Sequence, residues 1–524
     1  MDTKAPSGSF RPGGQGPGGP GFRGRRYKHD LTHGPITKTL LVFSLPVLGG
    51  NVLQSLNGSV NQFWVSHTLG VSAITAIGNA NIIMFLMLGS IFGISMAANI
   101  LVAQAVGAED MPLVKKVMGT AVSFFMTLAV IMAVVGYLLS PHILALMGTP
   151  IIGPDGSSPR EDAIIYLRIV FLSMPFMCMF AFLQMAQRGA GDSKTPFYFL
   201  LLAVVLDSGL NPLLIRGVGP FPKLGIAGSA SSTLIGQGIS LVCLIVTLYR
   251  MKSPLMLRWS ERGLLKPNLE IAKTLITRGI PMGLQMFIMS SGAMVVIGLV
   301  NAYGAITAAA YTGASQVWTY VQMPAMALGA SISSMAAQNI GAERWDRVNR
   351  IALSGVITSL AVTGGVVVLI YLLGDWPLHV FLPAGTPAMP IARHINQVIL
   401  WSMTLFGVTF ALSGIVRSTG AVWAPLVILI ISMWIIRLPF AMLLKPYWGE
   451  DAIWWSFPMG TLVSVALTAL YYQFGGWRKL HMLKLHHPWG GGPEPGGGVD
   501  LNIEEDGDEL ETRGLAEPAS SPAG

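Results

Sequence analysis

The chain has 524 residues, 52% of them hydrophobic and only 11% charged, with 2 cysteines and a formal charge of +8. That charged share is about half of what a soluble globular domain carries, which excludes a soluble enzyme or a basic nucleic-acid-binding domain as the body of the molecule. Cys178 and Cys243 both stand inside apolar runs, so they supply neither a disulfide framework nor a zinc site.

Residues 1–35 open the chain as a basic stretch rich in Gly, Pro and Arg ("RPGGQGPGGPGFRGRRYKHD"). That composition predicts a disordered tail. It lacks the short apolar core and cleavage site of a secretory signal, so the first apolar run is expected to be retained as a membrane helix. Twelve such runs follow, near 38–65, 73–103, 117–140, 163–187, 196–216, 225–249, 276–301, 307–337, 351–373, 394–416, 422–443 and 452–474. Each is long enough to cross about 30 Å of hydrocarbon at about 1.5 Å per residue. They are too long for barrel strands, and an open sheet cannot satisfy its backbone in lipid. The expected fold is an all-α membrane protein of twelve transmembrane helices. Residues 477–524 form a second tail, Gly-rich and then acidic ("NIEEDGDELETRG"), expected to be disordered.

The positive charge is unevenly divided. One side of the membrane receives Arg23, Arg25, Arg26 and Lys28, Lys115 and Lys116, a cluster from Arg250 to Arg278, Arg344, Arg347 and Arg350, then Arg478 and Lys479. The other receives little beyond Arg160, Arg216, Lys223, Arg393 and Lys445. The positive-inside rule then puts both termini in the cytoplasm, in agreement with an even number of spans. A multi-pass protein of the cell inner (plasma) membrane is expected, with no nucleic-acid partner.

The chain also repeats itself. "VAQAVGAEDMPLVKKV" (102–117) matches "AAQNIGAERWDRVNRI" (336–351), pairing Gln104 with Gln338, Gly107 with Gly341 and Glu109 with Glu343. Nearly the same offset brings Pro46 onto Pro281, and "RGAGDSKTP" (188–196) lines up with "RSTGAVWAP" (417–425). Gly and Pro taken singly would merely punctuate turns; their pairing at a nearly constant offset makes two six-helix lobes. Six is even, so the repeat is parallel, about an axis along the membrane normal. An N-lobe (36–250), a basic connector (251–275) and a C-lobe (276–476) follow.

One stretch breaks the apolar pattern. In "LLAVVLDSGLNPLLI" (201–215) Asp207 lies about eleven residues from either end of its span, and Asn211 shares its helical face one turn on. An ionised Asp at that depth costs about 2.5 to 3.5 kcal/mol even on lenient insertion scales, so it must face protein or water. A carboxylate balanced between a protonated and a cation-paired state suits coupled transport; a structural hydrogen-bonded acid joining two helices is the plainer account. In the first span Asn51, Gln54, Asn57 and Asn61 recur at intervals of three and four, one polar stripe that must look inward, as interhelical glue or as cavity lining.

The motifs "RGAGDSKTP", "QNIGAERWDRV", "LNPLLI" and "GIAGSASST" resemble those of the multidrug and toxic compound extrusion (MATE) transporters over roughly residues 36–480. The resemblance implies a cation-coupled antiporter whose two lobes enclose a central cavity that opens to each side in turn. The DinF-like branch resembles "LADTFWV" in its first span and "LNIVLDP" in its fifth, with both aspartates in an N-lobe cation site. The matching stretches here read "SVNQFWV" and "AVVLDSGLNP", so Asn61 replaces one acid while Asp207 and Asn211 exchange acid and amide. Thr233 falls where the family places a hydroxyl ligand. The implied site is Asp207, Asn211, Asn61 and Thr233, with H⁺ favoured and Na⁺ left open, and no other metal or cofactor. The NorM-like branch fits less well, because "PMGLQMFIMSSG" in the seventh span lacks that branch's acid.

For substrate, the candidate cavity residues are Asn51, Gln54, Asn57, Gln285, Gln316, Trp318, Tyr320 and Arg437. Aromatic and methionine side chains make adaptable surfaces for amphipathic organic cations, although helix packing explains them equally. Arg437 lies one residue from the counterpart of Asp207, and snorkelling to the interface is its simpler account. The expected activity is export of small organic, cationic compounds in exchange for H⁺ or Na⁺ by a monomer in the lipid bilayer. Three rivals are a lipid-linked precursor flippase, whose cavity would carry several cationic residues, of which these spans show almost none apart from Arg437; a membrane-embedded enzyme, for which no converging constellation exists; and a channel.

Overall fold

A computed structural model describes residues 30–147, 149, 158–219, 221–383, 385–480 and 482; side chains at 66, 69–76, 79, 82, 85 and 86 lie outside the description. Most of both expected tails, 1–29 and 483–524, also falls outside it. The described chain is helical: α1 (Ile36–Gly107), α2 (Met111–Leu146), α3 (Pro159–Gly189), α4 (Lys194–Arg216), α5 (Ile226–Arg250), α6 (Leu269–Asn301), α7 (Ala305–Gly341), α8 (Trp345–Leu373), the one-turn α9 (Trp376–His379), α10 (Ala388–Ser418), α11 (Trp423–Ile430), α12 (Leu438–Trp448) and α13 (Asp451–Phe474). Helices close every backbone hydrogen bond within the segment, which hydrocarbon requires.

The first two expected spans form one assigned helix. Straight, its 72 residues would run roughly 108 Å. Yet the Leu31 N–H just before it donates to Gln338 Oε1, and Gly107 at its far end lies against the Gln338 backbone. Both ends reach one residue, so α1 doubles back between its two spans. Among the described residues, eleven segments are long and apolar enough to cross a membrane. The twelfth crossing is α7, whose "ALGASISSMAAQNIG" half is small and polar because α1, α3, α8 and α10 pack around it, leaving little for lipid to touch.

Four boundaries differ from those expected from the sequence. The connector ends at Asn268 rather than at 275, because the Asn268 side chain accepts from the Ile271 N–H and caps α6. The eleventh span continues to Trp448 through a π-helical stretch, Ile431–Arg437, between α11 and α12. The tails are also ordered closer to their ends than expected. Leu31 is buried, Asn339 donates to its carbonyl, and Arg344 and Arg347 donate to the carbonyls of Thr32 and Gly34. Trp477 and Met482 are buried beyond α13. An apolar side chain with a surface to cover is enough to fix a segment whose overall composition favours disorder.

The repeat is visible in the backbone. Glu109 and Glu343 both take left-handed conformations (φ 56° and 57°), as do Gly191 and Gly420 (φ 89° and 96°). Where the lobes meet, on the face that holds both described chain ends, the contacts are reciprocal. Gln104 Nε2 donates to the Ser418 carbonyl (2.7 Å), and its counterpart Gln338 Nε2 donates to the Gly189 carbonyl (2.8 Å). Gly107 lies against the Gln338 carbonyl and Gly341 against that of Gln104, so closely that a Cβ on either would overlap it. Ser334 Oγ completes the seam by donating to Asn99 Oδ1 (3.2 Å).

Candidate functional site

Asp207 occupies the middle of α4, a depth set by the preceding loop: Asp192 Oδ1 accepts from the amides of Lys194 and Thr195, fixing the start of the helix. The carboxylate is 2% exposed. It accepts four hydrogen bonds, two on each oxygen. Asn57 Nδ2 (2.9 Å) and Asn61 Nδ2 (3.0 Å) of α1 donate to Oδ2; Ser232 Oγ (2.6 Å) and Thr233 Oγ1 (3.1 Å) of α5 donate to Oδ1. One acid therefore ties α1, α4 and α5 together, and Tyr166 of α3 lies within its electrostatic reach.

The expected set is thus brought together, with two amendments. Asn211 does not touch the carboxylate: its Nδ2 donates to Asn61 Oδ1 (2.6 Å), while its own Oδ1 is buried without a hydrogen-bond partner. Ser232 and Asn57 join the site. Ser232 sits beside Thr233 in "GSASST", and spacing alone does not say which of adjacent hydroxyls turns inward. Asn57 stands on the polar stripe that the sequence assigns to the cavity, yet its amide reaches the acid. Oxygen donors gathered here are Asp207, Asn61, Asn211, Ser232 and Thr233, a hard-ligand set that suits a proton or an alkali cation. Among the described residues no cluster of His, Cys, Asp and Glu suits a transition metal.

The remaining candidates do not form one surface. Gln54 and Gln316 are exposed, and Asn51 is half-buried. Trp318 belongs to the C-lobe core: it is 3% exposed and donates through Nε1 to Asn396 Oδ1 (2.8 Å). Tyr320 is exposed and stacks on Phe381, whereas Gln285 accepts from Arg417 Nη1 (3.3 Å).

Arg437 does not snorkel. With the helix continuing to Trp448, it lies near mid-span, and its guanidinium rests 3.3 Å above the Phe457 ring. The π-helical stretch ending at Arg437 accommodates an extra residue, which accounts for its one-residue displacement from the counterpart of Asp207. Around it the repeat holds. Gly236 lies against Ala203 and Asp207, and Gly460 against Ser432 and Arg437, so that Phe457, three residues before Gly460, stands where Thr233 stands before Gly236. An acid on a hydroxyl in one lobe thus becomes a guanidinium on an aromatic face in the other.

More cations lie within the helices than the apolar runs suggest. α3 runs to Gly189 and α10 to Ser418, which places Arg188 and Arg417 inside helices. Arg188, Arg417 and Arg437 each have a buried Nε without a hydrogen-bond partner, and none is in a salt bridge found among the described residues.

The MatE family model matches residues 46–213 and again 281–443, one match in each half. The chain is 36% identical over 452 residues to YoeA, a probable multidrug resistance protein of Bacillus subtilis, covering 86% of this chain and 96% of that one. It is 30% identical to YpnP, a second probable multidrug resistance protein of that species, covering 87% and 98%. Its fold matches the crystal structure of the Vibrio cholerae MATE transporter VcmN in the bent form with a TM-score of 0.76, at 18% identity, over 84% of this chain and 97% of that one. Two six-helix halves, one of them built around a buried acid, and a family model that fits each half, establish that the chain belongs to the MATE family of multidrug efflux transporters.

Proposed function

We propose that the protein exports small organic compounds in exchange for an inward-moving cation, with Asp207 as the group on which the cation is exchanged. The observation that carries this reading is a carboxylate 2% exposed at mid-span that takes all four of its hydrogen bonds from side chains of two other helices. Ionised, it is an acceptor only, and four donors suit it. On taking a proton it gains an O–H that needs an acceptor: on Oδ1 the Ser232 hydroxyl can turn to the Ser229 carbonyl and accept it, whereas on Oδ2 an amide of Asn57 or Asn61 has to rotate or withdraw. Both amides are on α1, whose start packs through Leu40 and Phe43 on Leu328 and Ile332 of α7. α1 therefore links the site to the other lobe, and a change at Asp207 can alter how the lobes meet. H⁺ is the favoured ion because one acid carries one proton; Na⁺ would use the oxygens of Asn61, Asn211, Ser232 and Thr233.

The expected setting is the inner membrane, with a monomer whose termini are cytoplasmic. In that orientation the reciprocal Gln104 and Gln338 contacts close the cytoplasmic side. The test is efflux from proteoliposomes under separate pH and sodium gradients, parent against Asp207→Asn. The substitution should abolish gradient-driven efflux while leaving the protein folded; drug efflux driven by neither gradient in the parent defeats the antiport reading.

A second reading concerns the cargo. Amphipathic cations suit the aromatic and methionine content, but Arg188, Arg417 and Arg437, in no salt bridge among the described residues, favour a compound that carries an acidic group, as a lipid-linked precursor does. Efflux of a zwitterionic against a purely cationic dye, in the parent and in Arg417→Gln, separates the two.

A further inference from the structure

Two cavities lie along the seam between the start of α1 and α8, whose walls the Thr37 and Ser354 hydroxyls join by a hydrogen bond (2.8 Å). The first, at the face that holds both described chain ends, has a volume of about 480 Å³ and is lined by Gly34, Pro35 and Thr37 on one side and by Arg347, Arg350 and Ser354 on the other. No carboxylate lines it. Arg347 spends one nitrogen on the Gly34 carbonyl (2.9 Å), while its buried Nε has no hydrogen-bond partner; Arg350 is exposed. The wall changes character with depth. Leu353 and Ile357, 65% and 57% exposed, follow on α8, and about a turn further along both helices lies a second cavity of about 360 Å³. It is bounded by Leu41, Leu45 and Leu48 of α1, Pro324 and Leu328 of α7, and Val362 of α8.

Two guanidinium groups at the membrane edge, followed along α8 by the exposed Leu353 and Ile357 and then by an apolar trough, have the polarity sequence of one molecule. We propose that this seam binds an anionic glycerophospholipid, its phosphate held by Arg347 and Arg350 and an acyl chain lying in the trough. Arginine suits the phosphate because its planar fork offers paired donors. The apolar wall explains why the ligand is a lipid and not a free phosphate. The site differs from general positive-inside charge in that its cations converge on a cavity, whereas Lys116, exposed on the same face, does not line it. It is also independent of the antiport reading, since it is read out by lipid retention alone.

The test uses the full chain purified in mild detergent and examined by native mass spectrometry with phosphatidylglycerol or phosphatidylcholine added. Phosphatidylglycerol should be retained preferentially. Arg350→Gln, which disturbs no observed contact, should weaken that retention about five-fold, and Arg347→Gln with Arg350→Gln more. Leu45→Trp, which fills the trough, should weaken it without any loss of charge, and Lys116→Gln should leave it unchanged. Equal losses in Lys116→Gln and Arg350→Gln would show diffuse surface charge and overturn the site. Competition by soluble glycerol 1-phosphate as effective as that by the lipid would overturn the acyl-chain assignment.

Discussion

Removing the Gln338 side chain tests whether the reciprocal seam between the lobes is a latch. Gln338 is 1% exposed. Its Nε2 donates to the Gly189 carbonyl and its Oε1 accepts from the Leu31 N–H. Gln338→Ala leaves one buried carbonyl and one buried N–H without partners, and each costs about 1 to 3 kcal/mol where water cannot reach. Gln104→Ala removes only the bond to the Ser418 carbonyl. These contacts exist only while the lobes meet on this face. The loss therefore falls on the closed conformation and should shift its equilibrium with the open one by roughly 5- to 150-fold per lost bond. Gln338→Ala should act more strongly than Gln104→Ala, and the double variant most strongly. The assay is pulsed electron–electron spin resonance between labels at Lys116→Cys and Asp346→Cys, one in each lobe and both exposed, with Cys178 and Cys243 replaced by Ala. A longer-distance population should grow in that order. Unchanged distance distributions in all three variants would refute the latch.

Three further outcomes follow from the structure. Ser232→Ala removes the shorter of the two hydroxyl bonds to Asp207. At about 1.5 to 3 kcal/mol for a bond to a charged group, it should slow gradient-driven efflux more than Thr233→Ala, measured as initial rates in proteoliposomes. Phe457→Leu strips the aromatic face from Arg437 and should lower stability by about 2 kcal/mol, read as a drop in melting temperature. In the connector, the hydrogen bond from Lys115, then that from the Arg258 N–H, holds the Glu261 carboxyl below its ordinary 4.5. Its contribution is complete above that value and is lost as pH falls through the lowered one. Thermal unfolding of the parent should therefore lose an increment below about pH 4.5 that Glu261→Gln lacks, an increment under about 1 kcal/mol because both partners are partly exposed.

Much of the architecture was legible because it is dictated by the solvent. Hydrocarbon forces each crossing into a helix, and the apolar runs mark the crossings one by one. The least apolar run, that of α7, satisfies lipid through its neighbours and was still recognisable by its length and by its repeat. The repeat in the loops carries through to the backbone, since Glu109 and Glu343 share a left-handed conformation. Helix ends were less legible. Whether α3 stops before or after Arg188, or α12 before or after Trp448, depends on what the next turn packs against, and those few residues decide whether an arginine is a surface charge or an enclosed one.

The sequence by itself determined that Asp207 lies deep in the membrane with amides on the neighbouring span, because an acid there is costly and helical periodicity says which residues share its face. Only the tertiary structure decided who holds it: Ser232 as well as Thr233, Asn57 with Asn61, and Asn211 one step removed. The same is true of Trp318, which reads as a cavity aromatic and is a core residue bonded to Asn396. Periodicity fixes the face of one helix, but rotation and depth relative to another helix come from how their side chains interlock, and no pattern within a single span contains that information.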